Sequence, residues 1–544
     1  MGCAMLTRSM VAAAFLALFA MTSGAGGPTS PVEASKQDTA SPAPALNSAW
    51  NSRPWDTTAN ILTSEYEYHE PTNQPRNQQF GGQVALSGDG RTLAVSDVWY
   101  FGGSEWPWYG SGAVYVYRLR SGDWRLEAKL EPPDARGYDF FGTDVALDID
   151  GDTLAVGAEY EGYEAPSQDA GPGSVFVFKR RNGVWTRETM LRASHPQDGA
   201  SFGRTVEISA SGNVVAVGAP YGSIDVDGVT QTSAGAVYVF AKRAGAWSEQ
   251  QALNAPNPQS NDLFGWGVRL SEDGRTLAIL AAEQNFDTED WQTGTWPGRD
   301  NTLYVFQQRN RSWAQVAEWE GTPDAPHFAG TMYSGEDQTE GFDLSADGRT
   351  LAVASPTALA PAGGAGLVRI YRRRGQQWMA TDTTLAPTIP GRRSFGVRLT
   401  LSANGRSLVA FADRDDGAYG IPYVVAFDNQ RDGWKQTAIL ESPIWEPAGV
   451  PISTGSANSL ALSWSGQRLA VGARLISTEN SYWGAALTYD RQRPVENLEQ
   501  DDQKLISTTG SRTTSLPAVR ARISSTLTPG ARSFSTNAPS SISR

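Results

Sequence analysis

Three kinds of side chain in this sequence carry possible chemistry. The first is a run of carboxylates, Asp148, Asp150 and Asp152, at alternating positions. Such oxygen donors suit a hard cation, and calcium is the cofactor to consider, although a complete EF-type loop supplies more ligands than three. Asp225 with Asp227, and Asp413 with Asp415 and Asp416, are sparser versions of the same idea. The second is Ser201 in Gly199-Ala-Ser201-Phe-Gly203, which matches the G-x-S-x-G elbow. That motif works at a strand-to-helix turn of an α/β sheet, whereas here its last glycine opens a β-strand. The three histidines, His69, His195 and His327, lie far apart, and Cys3 is the single cysteine, so no zinc constellation is legible. Scattered Asp and Glu leave a glycosidase pair open, which needs two carboxyls converging at a set distance.

The third kind is aromatic. Trp99, Tyr100, Phe101, Trp106, Trp108 and Tyr109 crowd one stretch. Tyr160 stands among Glu159, Glu161 and Glu164; Trp291 and Trp296 follow Asp287, Glu289 and Asp290; Trp483 follows Tyr482. Exposed rings beside carboxylates stack on sugars or grip peptides. The same rings folded inward would plug loops and a central channel.

What positions these residues is a repeat of short strands. Phe-Gly pairs stand at Phe80-Gly81, Phe141-Gly142, Phe202-Gly203, Phe264-Gly265 and Phe395-Gly396, with an inverted Gly341-Phe342. A seventh copy begins near Ser459 without the pair. Each copy has a tight turn such as Asp150-Gly151 or Asp273-Gly274, suited to positive φ. A strand like Thr153 to Val156 follows, then a long polar loop, then a strand like Ala236 to Phe240. A fourth strand opens on Trp124, Trp185, Trp247, Trp313, Trp378 or Trp434. A large apolar residue follows six places on in five copies, as Leu130 follows Trp124, and seven on at Leu385. An even offset predicts both on one strand face, as packing residues. The seventh copy stops near Pro494 without its tryptophan strand, while Trp55 and Ile61 stand spare before the first Phe-Gly pair. The fold class expected is therefore all-β. It is a seven-bladed β-propeller of four-stranded blades, with an N-terminal strand completing the last blade and closing the ring.

These residues resemble the FG-GAP repeat. The resemblance rests on Phe-Gly, on Gly218-Ala-Pro220 (partial at Gly157-Ala158 and Gly472-Ala473) and on Gly235-Ala-Val-Tyr-Val-Phe240. It covers roughly residues 55 to 490 and is sharpest in the first three copies. The repeat builds the integrin α propeller and recurs in secreted bacterial proteins. The resemblance implies calcium in many members, held by a D-x-D-x-D-G loop from which these short turns depart.

The flanks read differently. Arg8, the apolar run Met10 to Met21, and Ser23 and Ala25 before Gly26 read as an export signal over residues 1–25, with a run too short for a comfortable span. Residues 26–49 read as a flexible linker, 50–494 as the propeller, and 495–544 as a disordered Ser/Thr/Arg tail that includes Arg520, Arg522 and Arg532. The net charge of −13 supports no nucleic-acid partner. The expectation is an exported, monomeric, non-catalytic module binding a protein or glycan on its loop face, with no membrane span once the signal is removed. A polysaccharide hydrolase or lyase with channel carboxylates, and a structural surface protein, stand as alternatives.

Overall fold

The computed structural model describes residues 54–56, 59–63, 80–100, 110–133, 138–162, 170–282, 301–321, 341–359, 365–388, 392–393, 395–414, 423–440, 453–454, 457–478 and 481–492. The signal, linker and tail expected at 1–25, 26–49 and 495–544 lie outside the described residues. Among those described there are no helices, and so none long and apolar enough to cross a membrane.

Seven antiparallel sheets form the ring. Blade 1 runs Phe80–Leu86, Thr92–Asp97, Ala113–Arg120 and Asp123–Leu130, each strand pairing with the next. Blade 3 repeats it with Thr205–Ile208, Val214–Ala219, Ala236–Arg243 and Ala246–Leu253. The first strand of each blade lies against the first strands of its neighbours and lines a central channel.

The sequence motifs have packing causes. The Phe of each Phe-Gly pair is buried, and in blades 1 to 3 it meets two third-strand rings edge-on. Phe202 sits 5.5 Å from Tyr238 and 6.0 Å from Phe240, and Phe141 sits 5.5 Å from Phe176 and 6.1 Å from Phe178. Tyr238 and Phe240 share a face because strand side chains alternate. Burying one such phenylalanine stabilises by about 1.5–3 kcal/mol. The paired glycine is required too. Gly203 has φ +98°, and a Cβ there would stand 2.6 Å from the Ser174 carbonyl oxygen.

The Ser-x-Asp-Gly turns tie themselves. Ser271 Oγ accepts from Thr276 N and donates to Asp273, which accepts from Arg275 N. Ser345 and Ser402 do the same with Asp347 and Asn404.

The fourth strands correct the one-face expectation. Those of blades 1 to 6 carry a bulge, as where Val116 and Tyr117 pair with Ala128 and Leu126 and leave Glu127 extra. One extra residue reverses the alternation. Trp and Leu therefore face opposite neighbours, and each seam between blades takes a Leu from one and a Trp from the next. Leu130 joins Trp185, Leu191 joins Trp247, Leu253 joins Trp313, and Leu385 joins Trp434. Between blades 4 and 5 two tryptophans, Trp319 and Trp378, meet at 6.2 Å.

The ring closes as expected. Asn60–Thr63 pairs with blade 7's third strand, Ser481–Asp490, and Trp55 bridges Arg491. Trp55 joins Leu440 in the 6–7 seam. Its apolar companion is Leu62, packed in the 7–1 seam with Trp124. Ile61 instead is 44% exposed, because the seven-residue spacing found at Trp378 and Leu385 recurs here. Arg491 seals the closure. Its guanidinium donates to Asp428 at 2.7 and 2.9 Å and to the Gly466 carbonyl at 2.8 Å, and lies 4.5 Å over the Trp55 ring.

Candidate ligand-binding face

The channel, about 250 Å³, has two unlike ends. At the end carrying the Ser-x-Asp-Gly turns, backbone amides link the blades in a circle. Asp89 N donates to Ile149 O, Ile149 N to Ala210 O, Ala210 N to Glu272 O, and Glu272 N to Ala346 O. Ala346 N then donates to Ala403 O, Ala403 N to Trp464 O, and Trp464 N to Gly88 O, closing the circle at 3.0–3.2 Å per bond. The other end carries the loops between second and third strands.

On that loop face, one ring recurs at one place. Trp99, Tyr160 and Tyr221 each lie two residues past a second strand, those ending at Asp97, Ala158 and Ala219. The residue before the Phe-Gly pair of blades 2, 3 and 4 rises to meet them: Phe140, Ser201 and Leu263, all with φ between +50° and +55°. Trp99 lies 5.6 Å from Phe140, and Phe140 lies 5.3 Å from Tyr160. Ser201 stands beside Tyr160, whose hydroxyl is pushed up to about 12 by burial and then by the charge of Glu159. Tyr221 packs edge-on to Trp266 at 6.0 Å, and Arg204 covers Trp266 at 4.2 Å while pairing with Glu159 at 3.1 Å. The result is a crescent of half-buried rings, Trp99, Phe140, Tyr160 and Tyr221, spanning blades 1 to 3, with Trp266 of blade 4 buried behind it. It can offer π-faces and apolar edges to a ligand, with the Glu159–Arg204 pair at its inner side.

The expected residues divide. Trp99 and Tyr160 belong to the crescent. Tyr100 turns inward, packing in the 7–1 seam with the Lys129 ammonium 3.4 Å over its ring. Trp483 lies within the strand Ser481–Asp490, opposite Ile476, rather than in a loop. Trp106, Trp108, Tyr109, Trp291 and Trp296 lie outside the described residues. Phe140, Tyr221, Trp266 and Arg204 were missed. The shared spacing of Trp99, Tyr160 and Tyr221 after their strands was the available signal for Tyr221.

The carboxylate run takes other work. Asp148 occupies the turn-serine place, and its Oδ1 accepts from Asp152 N and Thr153 N at 2.9 and 3.0 Å. Its Oδ2 lies 3.7 Å from Lys179, and burial raises its pKa against those hydrogen bonds. Asp152 pairs with Arg180 at 3.1 Å, and Asp150 is exposed. The three do not converge, and among the described residues no group of three His, Cys, Asp or Glu side chains is placed to hold a metal. Asp225 accepts from Thr230, and Asp227 forms a turn at φ +51°. Asp415 and Asp416 lie outside the described residues. The positive φ of Ser201 recurs at Phe140 and Leu263, which have no hydroxyl, so that conformation belongs to the repeat and not to a nucleophile elbow.

Channel carboxylates are mostly engaged. Asp144 accepts from Val145 N and Val206 N, and Asp343 from Leu344 N and Leu401 N. Arg269 lies 3.3 Å from Glu207 and 3.6 Å from Asp343.

Comparison with protein families finds the FG-GAP repeat at residues 124–178 and 185–240. Each match begins on a fourth-strand tryptophan and ends in the third strand of the next blade, so the sequence unit straddles a seam. Comparison with curated proteins finds no match. Among solved structures, a chain of Kuenenia stuttgartiensis hydrazine synthase is similar at 13% identity and a TM-score of 0.41, over 79% of this chain and 99% of that one. With Phe-Gly pairs packed alike in successive blades and the ring closed by its own N-terminal strand, the chain is a seven-bladed β-propeller with FG-GAP repeats at residues 124–178 and 185–240.

Proposed function

We propose that the chain is an exported, non-catalytic binding module that holds a protein or glycan ligand on its loop face. The carrying observation is the crescent Trp99–Phe140–Tyr160, whose half-buried rings Trp99 and Tyr160 come from equivalent places on successive rigid blades, bridged by Phe140. Loops on a rigid frame are where binding residues concentrate. Two channel acids, Asp144 and Asp343, spend their oxygens on backbone amides, which weakens a hydrolase reading. The module needs no calcium in this reading, since Asp148 serves as a turn anchor.

The test is a glycan and peptide panel screened by thermal shift, with hits titrated calorimetrically. Trp99→Ala and Tyr160→Ala should each weaken a true ligand by about thirtyfold, the scale of an aromatic hot spot. Unchanged affinity in both variants would move the site elsewhere. Thermal midpoints in calcium and in chelator should coincide, and a clear rise with calcium would refute the metal-free reading.

A further inference from the structure

The turn end of the channel holds a feature the loop face does not explain. Strand-like spacing of seven linked blades makes that circle roughly 11 Å across between backbones. Four of its residues are Gly or Ala; only Ile149, Glu272 and Trp464 send large side chains inward, and all three line the channel. Glu272 Oε2 is buried without a hydrogen-bond partner, and so is Trp464 Nε1. Glu272 and Trp464 stand on blades 4 and 7, nearly opposite, so both side chains reach into one narrow opening.

The electrostatics are one-sided. Burial first, and Asp273 second, push the Glu272 carboxyl up to about 9, and no cationic side chain offsets them. The channel arginines are elsewhere. Arg269 is three residues back along the strand, roughly 10 Å, and is held between Glu207 and Asp343. Arg204 pairs with Glu159 towards the loop face. Arg398 lies five strand positions from the circle, roughly 16 Å along the channel.

We propose that the turn end of the channel binds a compact alkylammonium cation, with Glu272 as its counter-ion and the Trp464 indole as its aromatic wall. A carboxylate opposite an aromatic face is the chemistry that recognises such ions. Calcium fits poorly, because it takes six to eight oxygens and the circle offers one carboxyl and carbonyls already accepting hydrogen bonds. An anion would meet Glu272 and Asp273. This site stands apart from the loop face and does not depend on it.

The probe is tetramethylammonium chloride, which does not titrate, added calorimetrically to the full chain with sodium chloride as the matched control. Binding should be saturable at pH 9. It should be roughly fiftyfold weaker at pH 7, because a carboxyl with a pKa of about 9 is half ionised at pH 9 and only about one-hundredth ionised at pH 7. Glu272→Gln should weaken binding by at least about tenfold and remove the pH dependence. Its thermal midpoint should stay at or above that of the parent, which separates lost binding from lost folding. Trp464→Leu should weaken binding by about three- to thirtyfold. Heats indistinguishable from sodium chloride at pH 9, or Glu272→Gln binding as tightly as the parent, would overturn the site. Full affinity in Trp464→Leu would remove the aromatic wall from it.

Discussion

The seam between blades 2 and 3 and the seam between blades 6 and 7 hold the same apolar pair, yet they are secured differently. In the first, Leu191 packs with Trp247, and Glu188 accepts from Lys242 and from Trp247 Nε1 at 2.6 and 3.1 Å. These polar groups are partly solvated, and the chain passes directly from one blade to the next. In the second, Leu440 packs with Trp55, which arrives from the other end of the sequence. There the polar link is a bidentate pair whose side chains are 0% and 1% exposed, Arg491 on Asp428. A buried pair gains little net stability over an apolar filling, because both charges lose water. Its value is that the closing segment fits one way: Arg491 touches blade 6, the blade 7 turn and the Trp55 ring together. Where chain continuity does not align a seam, buried polar geometry does.

The sharpest way to break this contrast is to remove the closing segment. Deleting residues 1–63 loses Trp55 and the four strand residues Asn60–Thr63, Leu62 among them, and should cost more than about 5 kcal/mol in denaturant unfolding. A peptide of residues 54–63 should restore the midpoint in a concentration-dependent way, as expected for a ligand of the folded ring. Next in size is Asp428→Ala, which leaves Arg491 buried and unpaired and should cost about 3–5 kcal/mol. Adding Arg491→Met should recover most of that loss; no recovery would mean that the pair carries stability rather than fit. Smaller again is an ordinary seam. Glu127→Gln, which removes the charge and one of the two acceptor oxygens shared by Arg180 and Trp185, should cost about 1–2 kcal/mol.

The smallest effect is in acid. The Arg180 hydrogen bond holds the Glu127 carboxyl below its ordinary value, and Lys242 and Trp247 outweigh burial to do the same for Glu188. A depressed carboxyl contributes stability that is present above the unfolded value, about 4.3, and is lost as pH falls through the folded one. Thermal midpoints should therefore fall below about pH 4, with a shallower fall in Glu127→Gln. An identical acid limb in that variant would show that ordinary seams do not set it.

Much of the fold was legible because the repeat states its own rules. Phe202-Gly203 announces a buried ring and a positive φ, and Asp273-Gly274 announces a hairpin. The spare Trp55 announces the missing strand. The site was legible only in part. Trp99 and Tyr160 stood out as aromatic residues in loops, but nothing local distinguished them from Tyr100, which turns inward over Lys129.

Strand identity, blade number and the need for closure followed from the sequence alone, since alternation and turn chemistry are local and recur along the chain. Which face each fourth-strand residue takes did not follow, because a bulge at Glu127 reverses the alternation and is fixed by pairing with the third strand. Leu62 rather than Ile61 fills the last seam because the register of Asn60–Thr63 on the blade 7 strand is likewise set by pairing. The crescent, the Arg491–Asp428 latch and the opposition of Glu272 to Trp464 join residues from different blades, so only ring closure brings them together.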